Sequence, residues 1–163
     1  MNWPVDLTPE LCDRYGDALG VITGLNSYGA RAMFLGQAAT IKAFEDNSLV
    51  RQAVSEPGNN RVLVVEGGAS MRRAMLGDLL AAKAVANGWQ AIVINGCIRD
   101  CQAIGTMDLA VYALGTHPMK TEKLGVGQGD IAVQFGGVTV SPGDWIAGDP
   151  NGVVVSRDPL ILD

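Results

Sequence analysis

The sequence is poor in the residues that usually build metal-thiolate, nucleic-acid and secreted folds. It has one histidine and three cysteines, Cys12, Cys97 and Cys101, in 163 residues. Cys97 and Cys101 lack CxxC spacing, and no second cysteine pair or histidine cluster completes a zinc site. An odd, low cysteine count fits reduced thiols in a cytosolic protein. Basic residues are also scarce. Lys and Arg total 12 against 17 Asp and Glu, for a net charge of −5. An acidic domain repels phosphate backbones, so direct nucleic-acid binding is not expected. Apolar runs never approach the ~18 residues of a membrane helix, and the N-terminus has neither a basic segment nor an apolar one. These absences predict a soluble, cytoplasmic protein with no membrane partner.

What is present fits one ordinary domain, residues 1–163. The hydrophobic fraction is 48% and the charged fraction 18%, which excludes disorder. Twenty-one glycines without a three-residue period exclude collagen and point to many tight turns.

Thr8-Pro9-Glu10 reads as N-cap, first-turn proline and acidic first turn of a helix reaching about Tyr15. Ala32 to Phe44 reads as one or two strands, and Leu49 to Val54 as a helix ended by Pro57-Gly58-Asn59-Asn60. Arg61 to Glu66 is a β-branched run that predicts a strand covered on both faces, stopped by Gly67-Gly68. From Ala69 the pattern turns helical. It is interrupted at Gly77-Asp78 and resumes from Leu79 to Asn87, with Gly88 as the closing residue. Trp89 to Asn95 is another buried strand, so the middle of the chain is a parallel strand–helix–strand unit, expected to be right-handed. Ile104 to Leu114 reads as a short helix or strand. Beyond Lys120 four short strands are expected at Ile131–Phe135, Val138–Val140, Trp145–Ala147 and Val153–Val155, separated by glycine- and proline-rich turns. The fold class is therefore α/β, with a central parallel unit and a β-rich C-terminal half.

No GxxxxGK[ST], GxSxG or HExxH motif occurs. Gly125-Val126-Gly127-Gln128-Gly129 lacks dinucleotide spacing and reads as a surface loop. His117, before Pro118, reads as a turn residue. The informative segments are Gly77-Asp78-Leu79-Leu80 and Gly96-Cys97-Ile98-Arg99-Asp100. Each follows a strand of the parallel unit, and loops at the carboxyl ends of adjacent parallel strands share one crevice. A helix start at Gly77 to Leu80 offers free N–H groups to a carboxylate. Arg99 offers a planar guanidinium to an anionic oxygen pair. Asp78 and Asp100 suit a hard divalent cation such as Mg²⁺, which keeps most of its waters and polarises a carbonyl. Together they would stabilise an enolate. The plainer alternatives are Asp78 as N-cap of a helix beginning at Leu79, and Arg99-Asp100 as an exposed turn with a weak ion pair.

Asp78, then 20 residues, then Arg99-Asp100, resembles the D-x20-R-D motif of class II 4-hydroxy-4-methyl-2-oxoglutarate aldolases. The wider pattern is similar to the group that includes the regulator of ribonuclease activity A. It runs through Phe44-Glu45-Asp46-Asn47, Val64-Val65-Glu66-Gly67-Gly68, Phe135-Gly136-Gly137-Val138 and Gly143-Asp144. The resemblance implies a three-layer β/β/α swivelling-domain fold and a homotrimer with sites between subunits. It implies cleavage of 4-hydroxy-4-methyl-2-oxoglutarate to two pyruvates, with oxaloacetate decarboxylation as a side activity, both helped by Mg²⁺ or Mn²⁺. By the same resemblance Gly77, Asp78, Leu79 and Leu80 bind the small 2-oxo acid and Arg99 holds the pyruvyl oxygens. Asp100 binds the metal, and Asp78 orders water and moves a proton. Regulatory relatives instead bind and inhibit ribonuclease E, and that branch need not keep the acid that here is Asp100. The chain is short beside members whose C-terminal extensions reach a neighbour's site.

Overall fold

The computed structural model describes residues 2–162. Helix α1 (Leu7–Tyr15) and a short 3-10 turn lead into strands β1 (Gly20–Ile22), β2 (Asn26–Ser27) and β3 (Phe34–Lys42). Then come α2 (Ser48–Val54), β4 (Val62–Leu76), α3 (Asp78–Ala86), β5 (Ala91–Ile98), α4 (Cys101–Ile104) and β6 (Ala110–Thr116). The remainder is all strand: β7 (Gln128–Gly129), β8 (Val133–Phe135), β9 (Val138–Val140), β10 (Trp145–Asp149) and β11 (Gly152–Ser156).

Nine strands form one sheet in the order β1-β11-β10-β3-β4-β5-β6-β2, with β7 also on β3. Strands β3, β4, β5 and β6 are mutually parallel neighbours, as the strand–helix–strand reading requires. The connecting helices α2, α3 and α4 all pack on one face, where Val50, Val54, Ala81, Ala84 and Ile104 meet Leu63, Val65, Ile92 and Ile94. Residues one position away along the same strands, Val62, Val64, Ala91 and Val93, face the other way. There they meet Ile146, Val153 and Val155, because the β10–β11 end of the sheet folds across the parallel half. β3 spans the fold: its first half pairs with β10 and its second half with β4. The result is two β layers and one α layer, with α1 packed outside on Ala147 and Val154. Burial on both faces explains the unbroken apolar runs of β4 and β5.

Two expectations need correction. The segment from Ala69 is strand, not helix. Gly67-Gly68 does not stop β4; Gly68 (φ 69°) and Ala69 (φ 57°) form an irregularity after which Ser70, Ala74 and Leu76 pair again with β5. Such bulges re-aim a strand without ending it. The bend carries Leu76 to the level of Ile98, which sets the two strand ends side by side.

Thr8 is not the cap of α1 either. It lies inside the helix, donating its N–H (2.9 Å) and hydroxyl (2.6 Å) to Asp149 of β10. Asp149 is buried, which alone would raise its pKa, but the bonds from Thr8 and Asn151 outweigh this and hold it below the ordinary value. A lowered native pKa gives stability that is full above the unfolded value of about 3.9 and is lost as pH falls toward the native one. Denaturant unfolding followed against pH should therefore weaken below about pH 4. That acid slope should be shallower in Asp149→Asn.

Candidate active site

The ends of β4 and β5 converge as the spacing predicted. Leu76 pairs with Ile98, the Arg99 N–H donates to the Leu76 carbonyl at 2.9 Å, and α3 begins two residues past Leu76. Asp100 sits in the left-handed region (φ 58°, ψ 42°), which Asp tolerates better than most residues. That conformation turns its carboxylate back over the start of α3. Its Oδ2 accepts the Asp78 N–H at 2.9 Å and lies 4.0 Å from the Arg99 Nε.

This changes the capping assignment. The N-cap position of α3 is Gly77, and Asp78 is already helical and makes no side-chain cap. The cap is Asp100, reaching from the next crossover. Ala81 donates to the Gly77 carbonyl, so Leu79 and Leu80 are left with N–H groups that lack a carbonyl four residues back. These two residues, at a positive helix end, line the cleft. Gly77 is required by space: a Cβ there would stand 2.7 Å from the Asp100 carboxylate and 3.5 Å from the Arg99 Nε. Because the obstructed atom ends a side chain, Gly77→Ala should fold, yet displace Asp100. Thermal unfolding should shift little, while binding to the cleft should be lost.

The cleft encloses about 230 Å³ and brings Gly77, Asp78, Leu79, Leu80, Arg99 and Asp100 into one lining. Every site residue expected from sequence is therefore in one place. The structure adds residues that sequence reasoning missed: Asn47 and Arg51 from the α2 region, Lys83 from α3, and Lys120 and Lys123 from the segment after β6. Asn47 is 92% buried, and its Oδ1 is the one buried side-chain polar atom without a partner among the described residues. A buried unpaired amide oxygen costs about 1–3 kcal/mol. Five cations line a cleft holding two carboxylates, so a site on an acidic protein is itself locally positive.

Arg99 and Asp100 are each about one-third exposed, with the Arg99 Nη1 3.4 Å from the Pro118 carbonyl. His117 is the turn residue expected: its N–H bonds the Ile98 carbonyl and its Nδ1 accepts the Met119 N–H. Gly125 to Gly129 is an exposed loop, as read from sequence, ending in the short β7. Cys97 is fully buried with its Sγ 3.4 Å from the Met71 Sδ, and burial raises its pKa. In the native protein a thiol reagent should therefore leave Cys97 unmodified.

Among the described residues no three His, Cys, Asp or Glu side chains converge to cage a metal. The donor set instead offers the Asp100 carboxylate, one oxygen of which the helix start already uses, with Asp78 beside it. That fits a hydrated Mg²⁺-type ion, which is held through one or two carboxylates and keeps several waters.

The sequence matches the RraA-like family (Aldolase/RraA) over residues 8–155. A protein of Hahella chejuensis named "Putative 4-hydroxy-4-methyl-2-oxoglutarate aldolase" is 52% identical over 157 residues, covering 96% of each chain. One of Laribacter hongkongensis with the same name is 53% identical over 156 residues, covering 95% of this chain and 98% of its own. The match spans nearly the whole length of both relatives. Among solved structures, "RNA-processing inhibitor RraA" of Thermus thermophilis superposes with a TM-score of 0.91 at 35% identity, covering 98% of this chain and 95% of its own. A structure from Geobacillus kaustophilus HTA426 described as an S-adenosylmethionine:2-dimethylmenaquinone methyltransferase superposes at 0.90 with 46% identity, covering 94% and 96%. One fold thus carries three functional names among its relatives, so the fold alone does not assign an activity. The β/β/α architecture, the matched span and the close likeness in sequence and structure agree: the chain belongs to the RraA-like family.

Proposed function

We propose that the cleft cleaves 4-hydroxy-4-methyl-2-oxoglutarate into two pyruvates and decarboxylates oxaloacetate through the same pyruvate enolate. The observation that carries this reading is the junction of Arg99, Asp100 and the α3 start in one cationic cleft. A 2-oxo acid carries a carboxylate and a carbonyl side by side, and this junction offers one partner for each.

The Leu79 and Leu80 N–H groups receive the C1 carboxylate. Arg99 takes the C2 oxygen and balances the charge that grows there. Asp100 holds a hydrated divalent cation, which supplies Lewis-acid polarisation of the carbonyl when bound. Arg51, Lys83, Lys120 and Lys123 attract the C5 carboxylate. In the aldol step the C3–C4 bond breaks and its electron pair flows to C3 and the C2 oxygen as the enolate. The C4 hydroxyl loses its proton, through water, to Asp78, and C4 becomes the carbonyl carbon of the first pyruvate. The proton returns to C3, and the enolate becomes the second pyruvate. With oxaloacetate the bond that breaks releases CO₂ instead, and the enolate is the same. Preorganised positive charge at the developing oxyanion is commonly the largest contribution in such chemistry.

No glycine-rich nucleotide fingerprint supports the methyltransferase name. Binding to ribonuclease E is the second reading, favoured by the 0.91 superposition on a protein named as an RNA-processing inhibitor. The two are separable. Pyruvate release, followed by NADH oxidation with lactate dehydrogenase, tests the first. Binding to purified ribonuclease E that survives Asp100→Asn tests the second.

Exposed apolar side chains extend the reading to assembly. Phe44, Met71, Met119, Leu124 and Val126 are each more than half exposed. Such a surface is covered most simply by another copy of the chain, in keeping with a homotrimer whose sites lie between subunits. Sedimentation equilibrium should give three times the 17.1 kDa chain mass. A monomer would remove the assembly from the account.

A further inference from the structure

The segment Phe44-Glu45-Asp46-Asn47 stands outside the chemistry just described, although Asn47 borders the cleft. Asp46 is 1% exposed, yet it lies beside one of the most exposed stretches of the chain, residues 122–130. Both of its oxygens are occupied. Oδ1 accepts the Ser48 N–H at 2.8 Å, and Oδ2 accepts the Leu124 N–H at 2.7 Å and the Val126 N–H at 3.5 Å. Two neighbours reinforce the join: the Asn47 N–H donates to the buried Thr121 hydroxyl, and the Gly125 N–H donates to the Ser48 hydroxyl. Residues 117–120 are held separately, by Ile98 and Ala74, and β7 is held by β3. Between those anchors, the ties to residues 46–48 fix the run from Thr121 to Val126. That run carries Lys123 to the cleft lined by Asp78, Arg99 and Asp100.

We propose that Asp46 is a positioning residue whose buried carboxylate holds Thr121–Val126 so that Lys123 completes the cationic rim of the cleft. The proposal rests on the reading of that cleft as a site for a dianionic oxo acid. Asp46 itself touches no substrate. It acts by fixing backbone N–H groups, and a buried carboxylate accepting several such bonds makes a stiff joint. The same residues fix Asn47, so the two flanks of the cleft, the α2 end and the lysine segment, are set by one connection.

The test is a double-mutant cycle on the full-length protein with Mg²⁺ present, using Asp46→Asn, Lys123→Ala and the pair. Loss of a hydrogen bond to a charged acceptor is worth roughly tenfold or more. Asp46→Asn is expected to raise KM for 4-hydroxy-4-methyl-2-oxoglutarate by about that factor, with kcat within about twofold. The double variant is expected to be no worse than Lys123→Ala, because both changes remove the same interaction. Hydrogen exchange at the Leu124 and Val126 amides should accelerate in Asp46→Asn. Ser48→Ala, a milder change that frees Gly125 but leaves the Asp46 bonds to Leu124 and Val126 in place, should move KM in the same direction by less. Fully additive effects, or accelerated exchange with no change in KM, would overturn the proposal. If the wild type releases no pyruvate, the functional reading fails on its own. The same cycle is then read from the affinities of oxalate and malonate, which need no turnover. Non-additive loss of dianion binding sustains the clamp, and additive loss or no dianion binding at all rejects it.

Discussion

Arg99→Lys is expected to lower kcat for pyruvate release by about 10²–10³ while leaving the fold intact, the cost of removing a preorganised donor from a developing oxyanion. Lysine keeps the charge but not the planar fork. It offers a flexible point charge in place of a fixed donor geometry, and its ammonium is more strongly hydrated than a guanidinium. The Arg99 backbone, not its side chain, bonds Leu76, so the strand junction survives the change. The side chain is 38% exposed and makes one long bond to the Pro118 carbonyl, so its removal takes little from stability. Steady-state kinetics on both substrates, alongside thermal unfolding, checks this. Full activity with an unchanged melting temperature would take Arg99 out of the mechanism.

Asp100→Asn is expected to produce a loss of similar size by a different route. Asparagine tolerates the left-handed backbone at position 100 and keeps an oxygen to accept the Asp78 N–H, so α3 stays capped. What disappears is the negative charge. A hard cation held through so few carboxylates loses most of its anchor, and activity should respond to added Mg²⁺ only at far higher concentration. Asp100→Ala is a harsher variant, because it also uncaps α3 and places alanine at φ 58°. A comparison of the two separates charge from architecture. If Asn and Ala lose activity equally and both respond normally to Mg²⁺, Asp100 serves only to shape the loop. Mg²⁺ titrations of wild type and Asp100→Asn, read by pyruvate release, decide the point.

The parts of the site legible in sequence were those fixed by local pattern. Two β-branched runs separated by a helix make a parallel unit. The residues just past each run must then meet, which placed Asp78, Arg99 and Asp100 together. The cap was misassigned for a related reason. A carboxylate at a helix start looks like a cap, and nothing in the sequence shows that Asp100, 22 residues on, occupies that place first. Thr8 failed likewise, since its partner Asp149 lies 141 residues away. The long β4 was missed because a glycine pair signals either a stop or a bulge, and pairing to β5 decides which. Asn47 and Lys123 were invisible as site residues. Their convergence depends on ties between segments 74 and 78 residues apart, from Asn47 to Thr121 and from Asp46 to Leu124. Surface lysines carry no periodic signal that would reveal such a meeting.

The most direct test of the account is pyruvate release from 4-hydroxy-4-methyl-2-oxoglutarate by the purified protein, with Mg²⁺ or Mn²⁺ and then with excess EDTA. Turnover is expected to need the metal, disappear in EDTA, return on adding metal back, and be absent in Arg99→Ala. Release no faster than metal alone produces, with equal rates in wild type and Arg99→Ala, would contradict it.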